Sequence, residues 1–196
     1  MDLVLATRNP GKVAELAARL DALPVRLRSA AEVPDAPEVD EDADTLRGNA
    51  EKKARTLFDH TGQPSLADDS GLEVDALDGA PGVHSARYAG ENADDAANRA
   101  KLLVALDGRT DRAARFRTVL AFADAMGVQF FEGACEGTIT TDEQGTGGFG
   151  YDAIFRPSEG DGRTFAEMSK DEKNRISHRG RALERFAVFL TDALAG

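Results

Sequence analysis

The sequence predicts an α/β fold built around a mixed β-sheet, and three observations support this class. Short apolar runs typical of strands alternate with segments whose apolar residues recur every three or four positions, as on one face of a helix. Residues 115–125 and 128–141 are strand-like runs joined at Met126-Gly127, which predicts one antiparallel pair. The chain of 196 residues is 41% hydrophobic and 30% charged, an ordinary composition for a folded protein. Helices combined with such strands indicate an α/β class.

The first half of the chain predicts strands and two helices in alternation. Residues 3–6 and 25–28 are short strand-like runs, and Val13, Leu16 and Leu20 between them have helical spacing. The second helix is predicted from an apolar stripe made of Leu46, Ala50, Ala54, Leu57 and Phe58. Residues 65–67 and 72–77 predict two further strands, which bracket the pair Asp68-Asp69.

The second half continues the alternation. Residues 79–82 have turn chemistry, residues 94–106 predict a helix, and residues 153–155 predict a short strand. Ser169, followed three residues later by Glu172, is a capping box that opens a helix. The last helix is predicted from one apolar face, made of Leu183, Phe186, Ala187, Leu190 and Leu194. Since no repeat or linker interrupts the pattern, residues 1–196 are predicted to form one domain.

Bulk properties exclude some classes of partner. The net charge of −11 argues against a nucleic acid as the main partner, because such binding needs a broad basic surface. The longest apolar run, residues 119–123, is far too short to span a membrane. The single cysteine, Cys135, excludes an internal disulfide and is expected to be a buried small side chain rather than a nucleophile. We therefore expect a cytoplasmic protein that binds neither nucleic acid nor membranes.

The most informative segment is Leu-Ala-Asp-Asp-Ser-Gly-Leu at residues 66–72, which the pattern places at a strand end. Two adjacent carboxylates at a sheet edge suit a hard divalent cation, which prefers oxygen ligands and keeps several waters. A carboxylate beside such a cation can also act as a general base. Alternatively, Asp68 and Asp69 form only an Asx-turn between two strands, and the motif taken alone favours that turn.

A predicted strand, a polar turn and a helix follow one another near the N-terminus. The turn reads Thr7-Arg8-Asn9-Pro10-Gly11-Lys12. Backbone N–H groups and the positive dipole at a helix start attract an anion, and Lys12 adds a full charge. The turn is not a Walker A loop, because Ala6 and Val13 stand where that motif needs glycine and Ser/Thr. From this segment alone, an anion site and an ordinary helix start both stay open.

A second glycine-rich element, Thr-Gly-Gly-Phe-Gly-Tyr-Asp, covers residues 146–152. Glycine lets the backbone approach a ligand closely, and Phe149 or Tyr151 could stack on a flat heterocycle. The alternative is a hairpin-like turn with an aromatic residue in the core.

One segment of this acidic chain is cationic, since residues 170–181 hold five basic and two acidic side chains. Lys173, Ser177, His178 and Arg179 lie on or just after the capped helix. Lysine offers phosphate a compact charge, whereas the planar fork of arginine can read a carbonyl or a phosphate. A phosphate turn, a carboxylate pair, a stacking aromatic and a cationic helix together describe a nucleoside triphosphate site with magnesium.

Five segments in chain order resemble motifs of the inosine triphosphate pyrophosphatase family, whose members remove non-standard purine nucleoside triphosphates. They are LATRNPGK at residues 5–12, LADDSGL at 66–72, GVHSARY at 82–88, GGFGYD at 147–152 and ISHRG at 176–180. The resemblance runs from residue 3 to about residue 190 and so covers nearly the whole chain.

This resemblance implies an elongated mixed sheet flanked by helices, with two lobes and the active-site cleft between them. It implies a homodimer, a requirement for Mg²⁺, and hydrolysis of the bond between the α- and β-phosphates of inosine, deoxyinosine and xanthosine triphosphates. Carried over by motif, Asp69 is the catalytic carboxylate and a metal ligand. The substrate-binding residues carried over are Thr7, Arg8, Asn9, Pro10, Gly11, Lys12, Ser70, Phe149, Gly150, Tyr151, Asp152, Lys173, His178 and Arg179.

The family pattern also calls for an acidic metal ligand upstream of the second helix. That ligand is expected in an acidic loop, residues 32–44, where seven of thirteen side chains are acidic. Its place relative to Thr45 and Asn49 favours Glu41, with Asp40 and Asp42 as neighbouring alternatives.

Two rival functions are kept beside the pyrophosphatase. A purine nucleotide-binding sensor without catalysis would keep the glycine-rich loops but would not need Asp69 next to a metal. A metal-dependent nuclease is opposed by the acidic net charge and the short basic segment.

Overall fold

The computed structural model describes residues 1–8, 10–21 and 23–195. Within these ranges the strands are β1 (Asp2–Leu5), β2 (Arg26–Ser29), β3 (Ser65–Val74), β4 (Pro81–Gly82), β5 (Ala113–Asp124), β6 (Gly127–Ile139) and β7 (Phe155–Pro157). The α-helices are α1 (Pro10–Leu20), α2 (Leu46–Thr61), α3 (Asp95–Ala105), α4 (Lys170–Ile176) and α5 (His178–Ala195). Each predicted helix is therefore present.

The strands form one mixed sheet, in the order β2-β1-β3-β5-β6-β7, with β4 paired to β3 beside this path. Strand β1 runs parallel to both β2 and β3, whereas β4 runs antiparallel to β3 and β7 antiparallel to β6. Strands β5 and β6 are joined by only Ala125 and Met126, a connection too short for parallel neighbours. The predicted α/β class with a mixed sheet is confirmed.

The chain divides into two compact units, the first made of residues 1–69, 119–132 and 182–196 and the second of residues 70–118 and 133–181. In the first unit, successive residues of β1 face opposite sides of the sheet. Leu3 and Leu5 pack with apolar residues of α1 and α5, whereas Val4 packs with Leu57 of α2. Helices therefore flank both faces of β1. The predicted cleft between two lobes stays a prediction.

The second unit has its own core, in which Leu72 and Val74 of β3 pack with Leu102 of α3 and with aromatic residues such as Phe116 and Phe155. Cys135 belongs to this core and is fully buried. Burial raises the pKa of its thiol to about 11, because the thiolate would lose its hydration. The expectation of a buried cysteine is confirmed.

Three strand predictions next to the candidate motifs are wrong in part. Asp68 and Asp69 neither end a strand nor form an Asx-turn, because β3 runs without a break from Ser65 to Val74. The strand can contain both carboxylates since each is bonded to a lysine ammonium group. The strand predicted at 72–77 ends at Val74, and Asp75–Leu77 form a 3₁₀ turn. Of the strand predicted at 153–155, only Phe155 lies in a strand, β7, because Asp152–Ile154 form a 3₁₀ turn. The second of these turns is closed by a hydrogen bond from the N–H of Ile154 to the carbonyl of Tyr151.

Among the described residues, no helix is long and apolar enough to cross a membrane.

Candidate active site

The first group of candidate residues is built on β3, in the first unit. Because neighbouring side chains of a strand point to opposite faces, Asp68 and Asp69 bond to different helices. The carboxylate of Asp68 lies 2.9 Å from Lys12 Nζ of α1, and Oδ1 of Asp69 lies 2.9 Å from Lys53 Nζ of α2. Both carboxylates are buried, so the two ammonium groups provide the positive charge that burial requires.

Lys53 is the centre of this group. Its Nζ donates to Oε1 of Glu41 and to Oδ1 of Asp69, each at 2.9 Å. Burial works against the charged form of Lys53, but the carboxylates of Asp69, Glu41 and Asp68 outweigh it and raise the pKa of the lysine. Burial raises the pKa of Asp69, and the charge of Glu41 adds to this, so that together they exceed the lowering effect of Lys53. Two carboxylates from separate segments thus converge on one cationic atom.

Lys53 is not among the site residues predicted from the sequence, although its position on α2 gives a signal. Lys53 follows Ala50 by three positions and precedes Leu57 by four, so it lies on the stripe that α2 buries. A lysine on the apolar face of an amphipathic helix needs a buried anion as partner. The nearby Asn49 is buried on the same face, and its Nδ2 lies 3.5 Å from Oδ2 of Asp69.

We expect Lys53→Met to lower the free energy of unfolding by about 3–5 kcal/mol, because it leaves the buried carboxylate of Asp69 without its ammonium partner. Urea unfolding followed by circular dichroism measures this loss. A domain of ordinary stability, about 5–15 kcal/mol, stays folded after it.

The matched control is Lys52→Met, one residue earlier on α2. Lys52 pairs with Asp42, and their side chains are 41% and 71% exposed, so this pair contributes about 0–1 kcal/mol. Equal losses in the two variants would show that the Lys53 cluster has no special stabilising role.

A pocket of about 230 Å³ adjoins this group in the first unit. Its polar lining is made of Thr7, Arg8, Lys12, Glu41, Lys53, Thr56 and Asp68. Helix α1 begins at Pro10, as the phosphate-turn prediction requires. Arg8 donates to the carbonyl of Ala36 at 2.9 Å and to Glu38 at 3.2 Å, so it also ties the turn to the acidic loop. The predicted residue Asn9 lies outside the described residues.

The acidic loop places only one of its three candidate ligands beside Asp69. Glu41 is half-buried and shares Lys53 with Asp69, whereas Asp42 is exposed and bonds Lys52 at 2.7 Å. Asp40 is also exposed. Within the described residues, no set of three or more His, Cys, Asp or Glu side chains is already grouped as a metal site.

The second group lies in the second unit and centres on the glycine-rich loop. Gly148 has a φ of +73°, and a Cβ there would overlap the carboxylate of Asp152, so only glycine fits. Oδ2 of Asp152 accepts the N–H of Phe149 at 2.9 Å and Nζ of Lys173 at 2.6 Å. Lys173 and Asp152 are both buried, so the ammonium group that was expected on phosphate holds the loop in this structure.

The loop presents one aromatic ring and hides the other. The side chain of Tyr151 is only 4% exposed, and its hydroxyl donates to the carbonyl of Ser85 at 2.8 Å. Phe149 is 50% exposed, and its ring centre lies 4.8 Å from Lys173 Nζ and 5.7 Å from Arg179 Cζ. Of the two aromatics considered for stacking, Phe149 is therefore the accessible one.

The start of α5 adds polar groups to the same unit. The ring of His178 stacks on Phe116 at 4.6 Å between centroids, with an interplanar angle of 13°. Nη2 of Arg179 donates to Ser70 Oγ at 3.4 Å, and that hydroxyl lies 2.6 Å from Thr118 Oγ1. Both His178 and Arg179 are buried, and burial of their polar groups is costly unless these groups are hydrogen-bonded.

The protein is of the α/β class, with a mixed sheet that carries converging carboxylates and buried ammonium groups. A sequence model described as the Ham1 family matches residues 3–189. The chain belongs to the Ham1 family.

Two relatives whose names state an activity are similar to this chain over nearly their whole length. A protein of Geobacter sulfurreducens named dITP/XTP pyrophosphatase is 54% identical over 184 residues, which are 92% of each chain. A protein of Exiguobacterium sp. with the same name is 48% identical over 198 residues and covers 100% of both chains.

Solved structures agree with the fold. The HAM1 protein from Coxiella burnetii matches with a TM-score of 0.92 and 42% identity, over 98% of this chain and 99% of that one. The Ham1 protein of Staphylococcus aureus matches with the same TM-score of 0.92 and 36% identity, over 98% of this chain and 100% of that one.

Proposed function

We propose that this chain hydrolyses the triphosphates of inosine, deoxyinosine and xanthosine to the monophosphate and pyrophosphate, and so clears them from the nucleotide pool. The observation that carries the proposal is the convergence of Glu41 and Asp69 on Lys53, beside the pocket at the start of α1. The name printed for the Geobacter and Exiguobacterium relatives supports the same activity.

Asp69 is the proposed general base. One carboxylate oxygen is bonded to Lys53, and the other lies 3.5 Å from the amide of Asn49. These two neighbours fix the orientation of the carboxylate, and a general base needs a fixed position relative to the proton it removes. Asp69 then takes a proton from the water that attacks the α-phosphorus, the bond to the β-phosphate breaks, and pyrophosphate leaves.

The pocket beside α1 is the proposed site for the phosphate groups. Lys12 and Lys53 contribute compact positive charges, and Thr7 and Arg8 add polar groups to the same lining. Gly11 and the first turn of α1 add backbone N–H groups at the positive end of the helix. Both lysines already neutralise carboxylates, so a bound polyanion has to exchange for those contacts.

Mg²⁺ is the proposed cofactor, and the donor set fits it. Glu41 and Asp69 both aim an oxygen at one point, now held by an ammonium group, and magnesium is commonly bound by one or two carboxylates, several waters and substrate phosphates. When bound, Mg²⁺ would supply positive charge to the phosphates and lower the pKa of a coordinated water. Glu41 and Asp69 are the residues that would hold it.

We expect Glu41→Gln to raise the Mg²⁺ concentration that gives half-maximal activity by about 10–100-fold, since even outer partners of a metal site contribute that much to affinity. A magnesium titration of the initial rate measures the shift. Asp42→Asn is the control, because Asp42 bonds Lys52 on the exposed side of α2. A larger shift for Asp42→Asn than for Glu41→Gln would show that Glu41 is not the metal ligand.

The second unit contains the proposed base site. The exposed ring of Phe149 provides a stacking surface, which the Asp152–Lys173 pair supports through the N–H of Phe149. His178 and Arg179 are proposed to face the purine, with Ser70 positioned by Arg179 and Thr118. Gly150 and Tyr151 contribute through the backbone of the loop, because the Tyr151 ring belongs to the core.

A homodimer and a cytoplasmic location complete the proposal, and both rest on the family resemblance and on the composition of the chain. Light scattering coupled to size-exclusion chromatography tests the dimer, and a mass of one chain would reject it.

The activity itself is tested by incubating the full chain with inosine triphosphate and Mg²⁺ and separating the products. We expect equal amounts of inosine monophosphate and pyrophosphate, and no turnover when a chelator removes the metal. Orthophosphate with inosine diphosphate would contradict the proposal. Tight binding without any turnover would instead favour the nucleotide sensor.

A further inference from the structure

Helix α3 holds the peptide of Gly150 from both sides. Oδ2 of Asp95 accepts the N–H of Gly150 at 2.6 Å, and Nη1 of Arg99 donates to the carbonyl of the same glycine at 2.8 Å. Asp95 and Arg99 are four residues apart, so they lie on one face of the helix. Both backbone polar groups of Gly150, a half-buried loop residue, are therefore bonded to one helix.

The helix that makes these contacts is itself fixed at its start. The side chain of Asp94 caps α3 by accepting the N–H of Ala97 at 2.7 Å. Asn98, which is buried, accepts the N–H of Ala89 at 2.7 Å and donates to the carbonyl of Ala86 at 3.0 Å. Asp95 and Arg99 therefore project from a well-anchored turn.

These hydrogen bonds fix the backbone next to Phe149. The N–H of Phe149 is bonded to Asp152, and the next residue, Gly150, is bonded on both sides by α3. The φ of +59° at Gly150 is a conformation that a side chain would disfavour, so these bonds stabilise an unusual backbone. An aromatic ring that is 50% exposed thus stands on a backbone with fixed hydrogen bonds.

We propose that Asp95 and Arg99 are positioning residues for the purine base, because they hold Gly150 and thereby keep the Phe149 ring in place for stacking. This inference rests on the proposed function and assigns the two residues to its base site. A ring that is ordered before binding loses little conformational freedom on binding. The clamp, formed by Asp95 and Arg99 on Gly150, therefore raises affinity for the nucleoside part of the substrate. The clamp does not change the affinity for the phosphate groups, which are assigned to the first unit.

The test compares a ligand with a base and a ligand without one. For Asp95→Ala and for Arg99→Leu, we expect the KM for inosine triphosphate to rise about tenfold, within the range that base stacking on an aromatic contributes. We expect kcat within about twofold of the parent, because the clamp does not touch the reacting atoms. Inhibition by inorganic tripolyphosphate should also stay within about twofold, since that ligand has no base to stack.

Three comparisons distinguish loss of the clamp from general damage to the fold. Glu143→Ala removes the other partner of Arg99, at 2.9 Å from its Nε, and leaves the bond to Gly150, so KM should change by less than about twofold. Arg99→Lys can still donate to the carbonyl and should recover part of the loss. Because the clamp acts through the ring, Arg99→Leu should add little to the KM of Phe149→Ala.

Three results would overturn the clamp: an unchanged KM in Asp95→Ala and Arg99→Leu, an equal loss of tripolyphosphate inhibition, or full additivity with Phe149→Ala. Absence of turnover by the parent chain would overturn the proposed function and the clamp with it. An active parent with unchanged variants overturns the clamp alone.

Discussion

Asp69→Asn is expected to lower kcat by about 10²–10⁴, the usual cost of losing a general base. The variant keeps the shape of the side chain and an oxygen that can accept from Lys53, so the protein should stay folded. Steady-state kinetics with inosine triphosphate and saturating Mg²⁺ measure the loss, and circular dichroism checks the fold.

The neighbouring Asp68→Asn is the matched control for this prediction. Asp68 is equally buried but bonds Lys12 rather than Lys53, so it lies outside the pair that Glu41 and Asp69 form. We expect Asp68→Asn to retain more activity than Asp69→Asn. Near-parental kcat in a folded Asp69→Asn protein, or a larger loss in Asp68→Asn, would remove Asp69 from its assigned role.

Selectivity for the purine base is the second large effect. Inosine and xanthosine carry a carbonyl oxygen at position 6, whereas adenine carries an amino group there. A buried site whose donors come from His178, Arg179 or backbone N–H groups satisfies the oxygen and leaves those donors unpaired against adenine. One unsatisfied buried group costs about 1–3 kcal/mol, and sites that read a substrate through such bonds can discriminate by about 10⁴ or more.

Guanine also has the 6-oxygen, so its exclusion requires a second feature of the binding site. We expect the site to lack either space or an acceptor for the 2-amino group, a restriction that xanthine passes with its 2-carbonyl. Ranked by kcat/KM, inosine and xanthosine triphosphates should be good substrates, guanosine triphosphate poor and adenosine triphosphate poorest. Comparable values for the adenosine and inosine triphosphates would refute recognition of the carbonyl.

Features that depend on neighbouring residues could be predicted from the sequence. The capping box of Ser169 and Glu172 is present, with the N–H of Ser169 bonded to Glu172 at 2.8 Å. The start of α2 is likewise local, since Thr45 caps it through the N–H of Gly48 at 3.0 Å. The helices were predictable for the same reason, because capping and periodicity act within a few residues.

Features that depend on distant residues could not be predicted in the same way. The two carboxylates in β3 looked like a strand end, but Lys12, 56 residues from Asp68, and Lys53, 16 residues from Asp69, make a continuous strand possible. Tyr151 looked as suitable for stacking as Phe149, and only the bond to Ser85, 66 residues away, places it in the core. The motifs in the sequence predict where the candidate site lies. The bonding partners of each side chain could be identified only from the folded structure.

The most direct test of the central claim is the position of the new oxygen when inosine triphosphate is hydrolysed in water enriched in ¹⁸O. Attack at the α-phosphorus, with Asp69 as base, predicts one ¹⁸O atom in inosine monophosphate and none in pyrophosphate. Phosphorus NMR resolves the two products and the small isotope shift of the labelled phosphorus. Label in pyrophosphate or in orthophosphate would contradict the account.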